Sequence, residues 1–513
     1  MSEQTNESKK LQQIQKEQGE LEQFAGEEIM ENACENMERL SAIFGKSADL
    51  KTLVYEQEVF TFGIAYLDGI INKHQLEETV IEPLIVHQQS LKAGGADRET
   101  LIENLISPAA VLSAAFHYKQ LLESLLNGSV LLFIDGLKVA YTIPLEYWPY
   151  RSIEEPQTQT MVKGPREGFI ESLQINMTLL RRRISTPSLH FLPRTIGNVT
   201  RTKLLVCYME KLVDRDVLNK LLVKIDKVKT DKVFDTGMLE ELLEERRFTP
   251  FPAFQSTERP DVAAAAIAEG KVIIMMEGTP FAIIAPATFW SFFQAAEDYY
   301  NHFDLATFIR FIRLISYIIA LALPASYIAV TTFHQELIPP NLLVSLAAQR
   351  EGVPFPAFLE ALLMELIFEI LREAGIRMPR PIGSAVSIVG AIVIGESAVS
   401  AGLVSPAIVI VVSLTAIASF VSPYYSFSGT GRLLRFFLML LASTLGIYGM
   451  IMFMIALAIH LSSLQTFGVP YFEPFAPFKA EKQKDSFLRF PLWWTQTAFY
   501  SKYKRKLESG KAK

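Results

Sequence analysis

A block from Phe308 to Leu461 contains apolar runs of membrane-spanning length, and about 300 residues of soluble-looking chain come before it. The segment Thr307 to Phe333 (TFIRFIRLISYIIALALPASYIAVTTF) keeps its arginines at one end. It then stays apolar for about 20 residues, enough for a hydrocarbon core roughly 30 Å thick. Arg432 to Leu461 (RLLRFFLMLLASTLGIYGMIMFMIALAIHL) repeats the pattern. A chain of this plan reads as an integral membrane receptor, channel or transporter and not as an enzyme.

The soluble part has its own signals. At 513 residues the chain holds two or three domains. The net charge of -6 implies no polyanionic partner. Cys34 and Cys207 are the two cysteines, too far apart in sequence for a disulfide framework and in keeping with a reducing compartment. The first residues are polar and lack an apolar signal core, so residues 1–36 are expected as a disordered or helical tail on the cytoplasmic side.

Apolar residues at helical spacing between about Met37 and Leu126 predict a helical start to the first α/β subdomain, residues 37–150. A hairpin follows, with strands at Ser129 to Asp135 and Lys138 to Ile143 turning at Gly136. The same unit recurs in a second α/β subdomain, residues 185–300: a helix at Asp261 to Ala268, a strand at Lys271 to Glu277, a turn at Gly278 and a return to Pro286. SVLLFIDGLKVAYTIP and KVIIMMEGTPFAIIAP superpose without a gap, pairing Gly136 with Gly278 and Pro144 with Pro286, which predicts a structural duplication. Leu204 to Glu210 adds a strand, and Asp214 to Lys227 and Gly237 to Arg247 add helices. Residues 151–184 are expected as a linker and a helix ending in Arg181, Arg182 and Arg183.

No constellation for catalysis, metal or cofactor is visible. The seven histidines are scattered, and there is no phosphate-cradling glycine loop or nucleophile elbow. Basic and acidic residues are interleaved, leaving no footprint for nucleic acid.

In the helical domain, residues 305–465, five segments compete for the bilayer: Phe308 to Phe333, Phe355 to Ala374, Ile382 to Gly402, Val404 to Val421 and Leu433 to Leu461. Arg310 and Arg313 precede the first, and the tail, residues 466–513, is basic, so both ends are expected on the cytoplasmic side. That parity favours four crossings, with one segment re-entrant, interfacial or fused to its neighbour. Gly383, Ser387, Ala391 and Gly395 fall four residues apart and would form a helix-packing ridge, within one subunit or between subunits. Glu396 adjoins it, facing a cavity or partner, or lying near the bilayer surface.

The helix Pro356 to Ala374 (PAFLEALLMELIFEILREA) places Phe358, Leu362, Glu365, Glu369, Arg372 and Glu373 within an arc of about 100°, with Leu366 at its margin. Apolar and acidic rings in alternation suit a cation pore, where leucines gate by dewetting and carboxylates concentrate cations. The alternative is an interfacial amphipathic helix in which Glu369 and Arg372 pair. On the pore reading, Glu365 and Glu369 are replaceable by Gln with normal protein abundance and slowed cation release.

The run VPFPAFLEALLMELIFEILREAGIRMPRPIGSAVSIVGAIVIGESAV, with TPFPAFQSTERPD, VKGPREGF and VPYFEPFAP, closely resembles the A subunits of the GerA family of spore germination receptors. The resemblance implies a multi-pass protein of the inner spore membrane with its N-terminal domain on the spore-core side. It also implies a transporter-like B subunit and a lipoprotein C subunit as partners. The A subunit would assemble as a small ring, such as a pentamer, forming a nutrient-gated channel for monovalent cations. A sporulation paralogue amplifying ion release shares most of these motifs, and a non-conducting scaffold or signalling subunit is the competing class. A secondary transporter has no support, because no inverted repeat of spans is apparent.

Overall fold

The computed structural model describes residues 20–57, 60–86, 106, 112–147, 156, 159, 161–246, 248–378, 393–479, 483, 485–486 and 488–491. The chain divides into two compact units, one of residues 1–160, 165–243 and 256–285, the other of 161–164, 244–255 and 286–513.

The first unit is a duplication. Its first half contains α1 (Ala33–Ile43), β1 (Leu50–Glu56), β2 (Thr61–Leu67), β3 (Ser113–Ala115), α2 (Tyr118–Leu126), β4 (Ser129–Ile134) and β5 (Ala140–Pro144). The second half contains α3 (Leu173–Arg183), β6 (Leu189–Ile196), β7 (Thr202–Met209), α4 (Arg215–Lys227), α5 (Thr236–Leu243), β8 (Gln255–Thr257), α6 (Pro260–Ala268), β9 (Val272–Met276) and β10 (Ala282–Ala285). The sheets have the orders β1-β2-β4-β5-β3 and β6-β7-β9-β10-β8, the same topology twice. The hairpin registers also correspond: Phe133 opposes Ala140, and Met275 opposes Ala282.

The hydrogen bonds repeat as well. Asn36 brackets the entry to α1, accepting from the Met30 N–H at 3.1 Å and donating to its carbonyl at 2.6 Å; Asn176 does the same to Ile170 at 2.9 and 2.6 Å before α3. The acid ahead of each hairpin glycine caps the same helix start: Asp135 accepts from the Ala33 N–H at 2.6 Å, and Glu277 from the Leu173 N–H at 3.3 Å. Gly136 and Gly278, at φ +87° and +90°, donate to Glu31 and Glu171, each at 2.9 Å. That left-handed backbone is open to glycine at little cost and makes the turn.

Two expectations change here. The stretch from Leu50 to Leu67 is a strand pair and not a helix, because β2 is buried along nearly its whole length and a central strand reads as a continuous apolar run. The helix ending in Arg181 to Arg183 forms as expected, but it is part of the second half of the unit and not of a separate segment. It is the counterpart of α1, and Leu173, Met177, Leu179 and Leu180 belong to the second core. The two halves are joined by a buried ion pair in which Arg181 Nε meets Asp49 Oδ2 at 2.7 Å. The other guanidinium nitrogens of Arg181 reach the carbonyls of Thr186 at 2.6 Å and Leu189 at 2.8 Å.

The second unit is helical: α7 (Phe303–Thr332), α8 (Pro340–Arg350), α9 (Ala357–Arg377), α10 (Pro406–Phe420) and α11 (Tyr425–Ser463). Residues 286–300, expected in the second α/β subdomain, belong here. Phe289, Phe292 and Phe293 enter the helical core, where Phe292 stacks on Phe427 at 4.9 Å and Tyr317 stacks on the same ring at 4.7 Å. α7, with 30 residues, is long and apolar enough to cross a membrane, and α11 carries an apolar stretch of 39 residues in two arms.

The segment expected as a single apolar stretch from Leu433 to Leu461 folds back on itself. A straight helix would separate Thr430 from His460 by about 45 Å. Instead the Thr430 hydroxyl donates to the Pro250 carbonyl, and His460 Nε2 lies 3.0 Å from the hydroxyl of the adjacent Thr249. The reversal is at Gly446, at φ +60° and ψ -142°. A Cβ there would lie 2.7 Å from the His334 ring, and one at Gly449 would lie 2.7 Å from the Leu441 carbonyl, so two glycines let the arms of the hairpin meet.

Candidate functional site

Helix α9 starts after Pro356, whose fixed φ suits a helix entry, and its acids recur at helical spacing. Glu365, Glu369 and Arg372 are i, i+4 and i+7 and share a face. Arg432 and Arg435, three apart, share a face of the first arm of α11. The two faces meet antiparallel. Fully buried Glu365 pairs with fully buried Arg435, whose Nε also donates to the Ala320 carbonyl at 2.6 Å. One turn on, Glu369 meets Arg432 at 3.0 Å and Arg372 at 3.7 Å. Arg372 donates to the Ser419 hydroxyl and lies over the Phe420 ring at 4.6 Å. At the start of α9, buried Glu360 takes the Ser405 N–H, at the head of α10, at 2.9 Å and Arg350 at 3.2 Å.

The expected pore residues therefore separate. Phe358 is half-buried against the helical core and Leu362 is half-buried. Glu365 differs most from expectation: it is closed off by Arg435, because one helical face holds both the acids and the contact with α11. Glu369 is half-buried between two arginines, one of them the i+3 partner foreseen for an interfacial helix. Leu366 is exposed, and so is Glu373, which pairs with Arg377 at 2.5 Å.

The uncovered stripe of α9 is shifted by one position from the predicted arc. It runs through Leu359, Leu363, Leu366, Ile370, Glu373 and Arg377, at spacings of four and three. Its end forms an open groove of about 520 Å³ with Glu369 and Ala374. Of the expected packing ridge, Gly383, Ser387 and Ala391 lie outside the described residues. Gly395 is buried beside Val409 of α10, with room of 3.5 Å for a Cβ, and Glu396 is exposed. The arginine partners Arg432 and Arg435 escaped the sequence reading, although their i, i+3 spacing at the head of a long apolar run was visible.

The class of protein defined here carries a duplicated α/β unit and an apolar helical unit with a buried ladder of acids and arginines. Residues 38–498 match the family described as Bacillus/Clostridium GerA spore germination protein. The chain is 43% identical over 469 residues to spore germination protein KA of Bacillus subtilis strain 168, covering 91% of this chain and 86% of that one. It is 41% identical over 492 residues to the uncharacterized membrane protein YfkQ of the same organism, with 95% and 94% covered. Among solved structures it is similar to the N-terminal domain of the A subunit of the Bacillus megaterium spore germinant receptor GerK3, with 27% identity, 51% of this chain and 97% of that chain covered, and a TM-score of 0.42. The chain is a member of the GerA family of spore germination proteins, with a role in spore germination. The family points to a spore membrane location and is not a known enzyme class.

Proposed function

We propose that this chain is the A subunit of a nutrient germination receptor and forms the cation path of that receptor as a small homo-oligomeric ring, such as a pentamer, beside a transporter-like B subunit and a lipoprotein C subunit. The observation that supports this reading is the uncovered stripe of α9. Five of its positions before Arg377 are four aliphatic residues and one acid, with the aliphatic side chains 37 to 67% exposed, on a helix whose opposite face is fixed by buried ion pairs. A rigid helix with a bare leucine stripe and an acid beyond it has the makings of a dewetting gate with a cation-attracting mouth. In that ring the gate residues are Leu363, Leu366 and Ile370, while Glu365 acts as a strut and not as pore lining, and Glu369, held by Arg432 and Arg372, borders the groove at the end of the stripe. If both arms of the α11 hairpin cross, α7 and the hairpin make three crossings, and one further crossing gives the even parity that two basic ends require. The N-terminal unit faces the spore core.

The test is basal potassium release from spores carrying Leu366→Ala with Ile370→Ala. A widened gate releases cations without nutrient. Receptor at normal abundance with wild-type basal and nutrient-triggered release would refute the gate and favour a non-conducting scaffold.

A further inference from the structure

Between α7, the end of α10 and the first arm of α11 lies a narrow, partly open pocket of about 10 Å³, room for one water-sized particle. Its walls include Arg313, Tyr317, Ser419, Ser422, Arg432 and Arg435. Donors dominate them. Arg435 is fully buried; its Nε and Nη1 are taken by Ala320 and Glu365, but its Nη2 meets no acceptor among the described residues. Arg432 Nε and the Tyr317 hydroxyl are also without partners there.

The local charge does not balance. Arg372, Arg432 and Arg435 carry three positive charges against the two negative charges of Glu365 and Glu369. Arg310 and Arg313 are matched separately by Asp298 and Asp485. Glu365 Oε1 and Glu369 Oε1 also lack donors, but neither residue lines the pocket. Among the described residues one guanidinium charge of this group is left over, and an uncompensated charge at a largely buried site is unfavourable. A water molecule would satisfy the donors without the charge. The narrow space suits a monatomic anion better than a carboxylate or phosphate, and a cation is repelled.

We propose that the pocket is a halide site that holds chloride on Arg435 Nη2, Arg432 Nε and the Tyr317 hydroxyl, tying α7 to the first arm of α11. The experiment follows thermal unfolding of the purified full chain in detergent at matched ionic strength in chloride, bromide or gluconate. The midpoint rises with chloride or bromide concentration and not with gluconate, as a ligand of the folded state requires. Tyr317→Phe keeps the ring stacked on Phe427 and removes one donor, weakening the apparent chloride affinity by about tenfold or more. Arg432→Gln abolishes the chloride response while leaving Arg435 in its pair. Equal midpoints in chloride and gluconate would overturn the proposal in favour of water alone. A halide response unchanged in both variants would also overturn it, by placing the halide elsewhere.

Discussion

Replacing Glu365 by Gln is the sharpest test of the ladder. The carboxylate is fully buried against Arg435, which no other acid reaches among the described ion pairs. Glutamine keeps the volume and can still accept a hydrogen bond, but the guanidinium is left without its counter-charge in the helical core. Removing one partner of a buried pair costs about 3 to 5 kcal/mol. At roughly 1.4 kcal/mol per decade, that is about two to three and a half decades in the ratio of folded to unfolded protein. Glu373→Gln is the control: its pair with Arg377 is exposed, and the loss is held to about 0.5 kcal/mol or less. Thermal or denaturant unfolding of the purified chain, with receptor abundance in spores, reads both. Removing the pair together, as Glu365→Gln with Arg435→Met, should recover part of the loss, since the buried charge goes with it. A Glu365→Gln protein within about 1 kcal/mol of wild type would show that the pair behaves as a surface one, and the strut role would fall. This reverses the expectation from sequence that Glu365→Gln leaves abundance untouched.

Other consequences are open to direct measurement. Gly446→Ala places a side chain at φ +60° beside His334, so the hairpin should loosen by at least about 1 to 2 kcal/mol, seen as a lowered melting midpoint; an unchanged midpoint would contradict the tight reversal. Maleimide should label exposed Cys34 quickly and leave Cys207 unlabelled until the protein unfolds, because burial pushes the Cys207 thiol well up and closes it off. Burial would raise the Glu167 carboxyl, but Arg182 and Arg183 hold it below the ordinary carboxylate range. Its stabilisation is therefore complete above the unfolded-state value near 4.3 and is lost as pH falls through the lower folded-state value. Glu167→Gln should flatten that acid limb of the stability curve, and an unaltered limb would count against the pairing. Asp49→Asn should loosen the two halves of the N-terminal unit by about 3 to 5 kcal/mol, measured by unfolding of the full chain.

The duplication was legible because its signal is local. Gly136 and Gly278 need a left-handed backbone, and the strands on either side keep one spacing, so the superposed sequences carried over to matching registers. What failed to show was non-local. The run Thr61 to Leu67 has the apolar density of a buried helix, and only its neighbours in the sheet, β1 on one side and β4 on the other, make it strand. The α11 reversal was hidden because Gly446 sits in an unbroken apolar stretch that one long helix could also use. The acidic face of α9 was found by its period, but period does not say which arc is turned inward. That depended on Arg432 and Arg435, some 60 to 70 residues away in sequence.

The most direct test of the cation path is cysteine accessibility along α9 in spores, with Cys34 first changed to Ser. Leu366→Cys places a thiol on the uncovered stripe, and Met364→Cys places one on the buried face. If the stripe lines the path, a charged thiol reagent added during nutrient-triggered germination slows potassium release in the Leu366→Cys spores and leaves the Met364→Cys spores at their untreated rate. Potassium release from Leu366→Cys spores that the reagent modifies but does not slow would contradict the account.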